Sequence, residues 1–258
     1  FTTLSSGYDS TAVASLVKDI GVSTCFTSKY SSSNIPKWIS RTAAIDAGNR
    51  IAEKLNLHTI YLEPKSKISE DELYFLAPAW AQFGTIFHSM ASYIEKHYDA
   101  AVLFFGHHGD VLWDVNVNHS LINDSIMPLD LGGNNFSEIR LKSGIIQISV
   151  PYIMARNIDA IHKISQSDEM APWRLNNAYD RPIPRRIAEE AGIPREYFGQ
   201  RNKAVAEYYN MPQNKKLRRE FFQYTVELRG RTRCFIYLYV FCNWIYYLVS
   251  RLIQYFRY

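Results

Sequence analysis

A strand, a glycine turn and a helix follow one another without a break at the start of this chain, and that succession constrains the fold more than any other feature. Phe1-Thr2-Thr3-Leu4 is a short apolar run suited to a buried strand. It enters the turn Ser5-Ser6-Gly7-Tyr8-Asp9-Ser10. Residues 11–19 then carry Val13, Leu16 and Val17 at helical spacing and stop before Gly21. The alternation continues. Residues 22–27 read as a second strand, SKYSSSNIPKW as a polar loop, and residues 43–57 as a helix with Ala44, Ile45, Ile51, Ala52 and Leu55 on one face. Residues 58–62 read as a third strand and residues 71–97 as a long helix interrupted at Pro78. Residues 100–105 are the most strand-like run in the chain and stop at Gly106-His107-His108-Gly109-Asp110. Such alternation with short connections predicts an α/β fold: a Rossmann-like parallel sheet with helices on both faces. The part after it is expected to be mostly helical. Residues 115–144 form a polar, turn-rich excursion, and helices are expected over 158–175, 184–191, 195–209 and 215–228.

A sizeable core is available, because 47% of the 258 residues are hydrophobic and 14% aromatic, which also excludes disordered and low-complexity classes. The net charge of +4 is too small to argue for nucleic acid, and none is expected as a partner. It is also uneven. Five arginines and no acids lie from Arg229 onward, leaving 24 basic and 25 acidic residues before them. The chain therefore divides into a near-neutral body, residues 1–228, and a basic, aromatic-rich tail, residues 229–258. Cys25, Cys234 and Cys242 form no CxxC pair and no even framework. Neither a structural zinc site nor a disulfide scaffold is expected, and a reducing, cytoplasmic compartment fits. The opening residues lack the basic-then-apolar pattern of a secretory leader.

In open parallel sheets ligands bind beyond the carboxyl ends of the strands, where both glycine turns fall. Small hydroxyl residues and a glycine between strand and helix can aim backbone N–H groups at one point, an anion nest reinforced by the helix dipole. Here that nest spans Ser5, Ser6, Gly7, Tyr8, Asp9, Ser10 and Thr11, with hydroxyl donors at Ser5, Ser10 and Thr11. A phosphate or pyrophosphate suits it. The GKS or GKT end of a Walker loop is missing, so a P-loop NTPase is not the reading. A carboxylate beside such a nest, Asp9, makes sense where Mg²⁺ bridges it to the phosphates. An ordinary capped helix start with Asp9 in its first turn accounts for the same residues.

The run from Ser5 to Ser10 resembles SGGxDS, the pyrophosphate-binding loop of the ATP pyrophosphatases (the PP-loop family), in the serine-second variant of the asparagine-synthase-like enzymes. Ser6 replaces a glycine. The second turn, Gly106-His107-His108-Gly109-Asp110-Val111, stands where asparagine synthetases and β-lactam synthetases carry GxGxDE. The resemblance implies that Gly106 lets the backbone approach the nucleotide and that Asp9 and Asp110 share Mg²⁺. The family's two glutamates are replaced by His107 and Val111, and its second glycine by His108. His107 can still act as a base near neutral pH, with a different reach and charge. Adjacent histidines on a tight turn seldom aim at one metal, so zinc is not expected. A third match is Gly199-Gln200-Arg201-Asn202-Lys203. The resemblance makes Lys203 the cation that stabilises the triphosphate and the transition state of adenylation, with Arg201 its companion. A solvated helix start is the plainer reading of that run.

The family's chemistry implies ATP and Mg²⁺ as cofactors, adenylation of a small-molecule carboxylate, release of pyrophosphate, and transfer of the acyl group to ammonia or an amine. That is an AMP-forming carbon–nitrogen ligase. No cysteine nucleophile of a glutaminase precedes the loop, so ammonia would come from a glutaminase domain or partner, or from solution. The tRNA-thiolation and deazapurine branches commonly use catalytic or zinc-binding cysteines, of which the body holds only Cys25. From a different class, a nucleotide-binding scaffold that has lost catalysis remains an alternative.

Two further segments stand out. Tyr179-Asp180-Arg181-Pro182-Ile183-Pro184-Arg185-Arg186 combines rigid prolines with arginines able to grip carboxylates or phosphates, or to pair with Glu189 and Glu190 at helical spacing. Trp80, Trp113 and Trp173 suit core positions. Residues 234–250 run 17 residues without a charge, short of the about 20 that span a bilayer. Buried packing and membrane contact are both open for this segment.

Overall fold

The computed structural model describes residues 1–28, 47–62, 85–116, 137–199, 215–230 and 232–257. Five strands, β1 (Thr2–Thr3), β2 (Thr24–Thr27), β3 (His58–Tyr61), β4 (Ala101–Phe105) and β5 (Ile145–Ser149), pair in the order β3-β2-β1-β4-β5, every pair parallel. β1 is short but tied on both sides. Leu4 N–H donates to the Phe26 carbonyl at 2.8 Å, and Phe104 N–H to the Phe1 carbonyl at 2.9 Å. From β1 the chain builds outward through β2 and β3, then returns to the other side of β1 for β4 and β5. This is a Rossmann-like α/β sheet, and its switch point lies between β1 and β4.

The helices are α1 (Tyr8–Val17), α2 (Asn49–Lys54), α3 (Thr85–His97), α4 (Gly109–Leu112), α5 (Ser137–Lys142), α6 (Ile158–Gln166), α7 (Pro182–Glu190), α8 (Lys215–Arg229) and α9 (Arg233–Arg257). Side chains alternate between the faces of a strand, so neighbouring residues serve different layers. Leu4 and Cys25 pack with Tyr8, Ala14, Ile51, Ala52 and Ala188, from α1, α2 and α7. Phe26, Leu103 and Ile145 face the other way, onto Met90, Ala91 and Ile94 of α3. Helices therefore cover both faces. A third cluster, with Val13, Val17, Leu112, Ile158 and Ile161, joins α1 to α4 and α6 and leaves α1 buried on most sides. Past β5 the described elements are all helical.

The largest differences between observed and expected elements fall in four places. The helix expected over 43–57 starts at Asn49. Ala47 bridges to Ser5, and Gly48 N–H donates to the Thr27 hydroxyl at 2.9 Å, so both are tied to strand ends instead of a helical turn. The excursion expected over 115–144 contains α5 and leads into β5, a strand missing from the expectation although Ile145, Ile146 and Ile148 carry the β-branched pattern. The helix expected over 158–175 breaks at Ser167. That residue is extended, with ψ 157°, and its hydroxyl donates to the Ile164 carbonyl at 2.7 Å; 3₁₀ turns continue over Asp168–Trp173. The helix expected from Arg195 is a single 3₁₀ turn, Arg195–Tyr197, before extended Phe198. Residues 29–46, Pro78, Trp80, residues 117–136 and residues 200–214 lie outside the described residues.

Candidate functional site

β1 and β4 are neighbours, so the turns that leave them meet at the carboxyl edge of the sheet. α1 begins at Tyr8, earlier than the apolar spacing suggests, which puts Tyr8, Asp9 and Ser10 in its first turn. A helix gives its first N–H groups no internal acceptor. Gly7 supplies no side-chain cap, and no described residue accepts from the amides of Tyr8, Asp9 or Ser10. These are the open donors of the nest.

The rest of the nest is closed by its own side chains. Gly7 N–H donates to Ser5 Oγ at 3.1 Å, Ser5 N–H to Ser10 Oγ at 3.1 Å, and the two hydroxyls lie 2.8 Å apart. Thr11 is sealed from solvent and donates its hydroxyl to the Gly7 carbonyl at 2.7 Å, so it staples the turn instead of facing a ligand. Tyr8 offers only backbone to the nest. Its ring packs on Tyr179 and Phe198, and its hydroxyl accepts from Arg185. The Ser6 carbonyl accepts from Gly199 N–H at 2.8 Å, which docks the start of the third motif onto the first loop.

Asp9 sits where the two turns touch. A Cβ on Gly109 would lie 2.3 Å from Asp9 Cγ, and one on Gly106 would lie 2.6 Å from the Asp9 carbonyl carbon. Only glycine allows this approach. His108, between them, takes φ 65°, the left-handed conformation that glycine adopts without strain. In the GxGxDE pattern that this turn resembles, the second glycine stands at this position. Asp110 follows in the first turn of α4, exposed at the same edge and close enough to act on the charge of Asp9. His107 is half-buried, its ring centroid 4.0 Å from that of His108, and its carbonyl accepts from the Ser149 hydroxyl at 2.6 Å, tying the turn to β5.

No family model, curated protein or solved structure matches this chain. The likeness to the ATP pyrophosphatases therefore rests on the residues of the motifs themselves.

Two residues outside the expected site set complete the site: Arg181, from the segment read as able to grip carboxylates or phosphates, and Asp114, which the sequence reading did not single out. Arg181, only 3% exposed, donates from Nη1 to Asp9 Oδ2 at 2.5 Å, and its Nε faces Asp114 Oδ2 at 3.4 Å. Asp114 lies four residues after Asp110, a spacing that could have flagged it. Asp9 Oδ1 is buried and has no hydrogen-bond partner among the described residues. Burial pushes the Asp9 carboxyl up to about 7; Arg181 pulls it down, while Asp110 and Asp114 push it further up. Burial works against the Arg181 charge, but Asp9 and its neighbours outweigh it and hold the guanidinium above its ordinary value.

The other arginines of this segment serve the fold. Arg185 pairs with Glu189 at 3.9 Å, and Arg186 with Glu190 at 2.8 Å and Glu169 at 2.6 Å, while Trp173 lies under Arg186 and Trp113 is in the core. Arg201 and Lys203 lie outside the described residues. Among the described residues no group of three or more His, Cys, Asp or Glu side chains is placed to hold a metal. The two-acid arrangement needs fewer: the orphaned Oδ1 of Asp9 and the carboxylate of Asp110 are hard oxygens that suit Mg²⁺ completed by phosphate and water.

The contact between the turns is itself testable. Gly109→Ala is expected to lower stability by about 1–3 kcal/mol, because its methyl must displace the Asp9 carboxylate. Urea denaturation of the full chain measures this, and an unchanged midpoint would mean that Asp9 is not held there.

Proposed function

We propose that this chain is the ATP-binding, adenylating domain of an AMP-forming carbon–nitrogen ligase. One observation carries the reading. At the switch point Asp9 fills the space left by Gly106 and Gly109, its Oδ1 without a partner among the described residues and Asp110 close enough to act on its charge. Asp9 and Asp110 would hold Mg²⁺, which when bound shields phosphate charge and makes pyrophosphate a better leaving group. The amides of Tyr8, Asp9 and Ser10, aided by the dipole of α1, would hold the pyrophosphate end of ATP. A carboxylate oxygen of the substrate attacks the α-phosphorus, the bond to the bridging oxygen breaks, and pyrophosphate leaves. Ammonia or an amine then attacks the acyl carbon and loses a proton as AMP departs. Lys203 and Arg201 would meet the negative charge that gathers on phosphorus oxygens, and His107 is the candidate base.

A second reading, a nucleotide-binding scaffold without turnover, is favoured by two contacts. Arg181 occupies Asp9 Oδ2, and the Ser5 and Ser10 hydroxyls occupy each other. Pyrophosphate release from ATP and Mg²⁺, measured across a panel of carboxylates with ammonium, separates the two. Turnover is expected, and Asp110→Asn is expected to lower it about 100-fold, several kcal/mol of charge stabilisation being at stake. Because Asp110 is exposed, the melting temperature should hold. ATP binding without pyrophosphate from any carboxylate selects the scaffold; no ATP binding rejects both.

A further inference from the structure

We propose that the helix pair α8–α9 docks on an anionic lipid bilayer, with a cationic pocket that takes a phosphate-bearing headgroup. This stands apart from the nucleotide reading. Residues 215–257 hold nine basic residues and two acids, Glu220 and Glu227, while the rest of the chain holds 20 basic and 23 acidic residues. The whole positive excess of the protein is therefore in this pair. Lys215, Arg218, Arg219 and Arg233 line a cavity of about 360 Å³ whose remaining walls are Phe222 and Tyr237. Those two rings are 4.5 Å apart and Phe222 is buried, so helix packing fixes the aromatic floor. Cations over an apolar floor match a phosphate ester: the phosphate meets the guanidinium and ammonium groups, and its carbon attachment meets the rings.

α9 supplies the rest of the surface. Leu238, Tyr239, Ile245 and Tyr246 are 41–59% exposed along it, whereas Ile236 is buried. Exposed apolar surface on this scale marks an interaction site. Its charge selects the occupant. From Arg229 to the end there is no acid, so the field over the helix is uniformly positive and complements an anionic leaflet. Tyrosines and arginines are also the side chains that bury an apolar body while keeping a polar tip at the headgroup level. No helix among the described residues is long and apolar enough to cross a membrane. The geometry is that of a helix lying in the interfacial plane.

The test is sedimentation of the full chain with vesicles of phosphatidylcholine, alone or mixed with phosphatidylserine. Binding should be at least roughly tenfold tighter to the mixed vesicles and should weaken as salt is raised. Each cation near an anionic surface is worth about fivefold, so Lys215→Gln, Arg219→Gln and Arg233→Gln together should cost roughly 100-fold. These side chains are exposed, and an unchanged melting curve confirms that the variant is folded. Leu238→Ser should weaken binding to the mixed vesicles about tenfold through lost apolar burial. Equal binding to both vesicle types overturns the proposal, as does a triple variant that binds like wild type. So does inorganic phosphate that saturates the pocket as tightly as the vesicles do, or light scattering that shows α9 buried between two copies with no vesicle binding.

Discussion

Arg181→Met is expected to cost about 3–5 kcal/mol at pH 8, the largest single loss at the site. Arg181 is almost wholly buried and shared between Asp9 Oδ2 and Asp114 Oδ2. Methionine keeps much of the stem volume but not the charge, so Asp9, Asp110 and Asp114 would face one another without a cation. Taking one member from a buried pair leaves the other uncompensated, which is why the loss exceeds the worth of the pair itself. The loss also depends on pH, with a sign set by Asp9. Its carboxyl titrates at about 7, so it is largely ionised at pH 8 and protonated at pH 5. The cost should be greatest at pH 8 and shrink toward pH 5, as Asp9 takes up the proton that replaces Arg181. Urea denaturation at the two pH values measures this, and combining Arg181→Met with Asp9→Asn should recover most of it. Equal losses at both pH values, or no recovery in the double variant, would assign the cost to Asp114 or to stem packing.

The first four strands are legible in the sequence because each is a short run rich in β-branched, aromatic or other apolar residues, closed by a glycine or a polar segment. β5 is harder: Gln147 and Ser149 interrupt its isoleucines, and it emerges from a turn-rich stretch with no helix pattern ahead of it. The start of α2 is misread for another reason. Ala44 and Ile45 share the helical spacing of Ile51 and Ala52, but Gly48 is held by the Thr27 hydroxyl, 21 residues away. In the site, Asp9, Asp110 and the two glycine turns are local patterns and can be seen directly. Arg181 cannot be placed that way, since it meets Asp9 across 172 residues of sequence. Thr11 shows the opposite failure. Its hydroxyl looks available as a ligand donor, yet the geometry of the turn brings the Gly7 carbonyl within reach, and the local bond wins. At His108 the residue type conceals a left-handed backbone that only the family's glycine pattern would flag.

Asp9→Asn is expected to stabilise the ligand-free protein at pH 8 by up to about 4 kcal/mol while removing pyrophosphate release. Burial lifts the folded carboxyl from an ordinary 3.8 to about 7, roughly three units at about 1.4 kcal/mol each. Between those values the folded chain keeps a proton that the unfolded chain has lost. Stability is therefore fully present below pH 4, falls as pH rises through 7, and is flat beyond. Asparagine carries no charge at any pH and keeps an oxygen for Arg181, so its curve should lack that slope. The two curves should meet near pH 4 and stand furthest apart at pH 8. ATP with Mg²⁺ should reverse the order, because the ion adds positive charge at Oδ1, the oxygen that Arg181 does not reach, and the variant has no charge there to neutralise. A residue that weakens the empty protein and strengthens the loaded one is placed for binding and not for packing. A wild-type stability flat between pH 4 and pH 8 would remove the buried-acid argument. An Asp9→Asn protein that still releases pyrophosphate would show that the ion is held elsewhere.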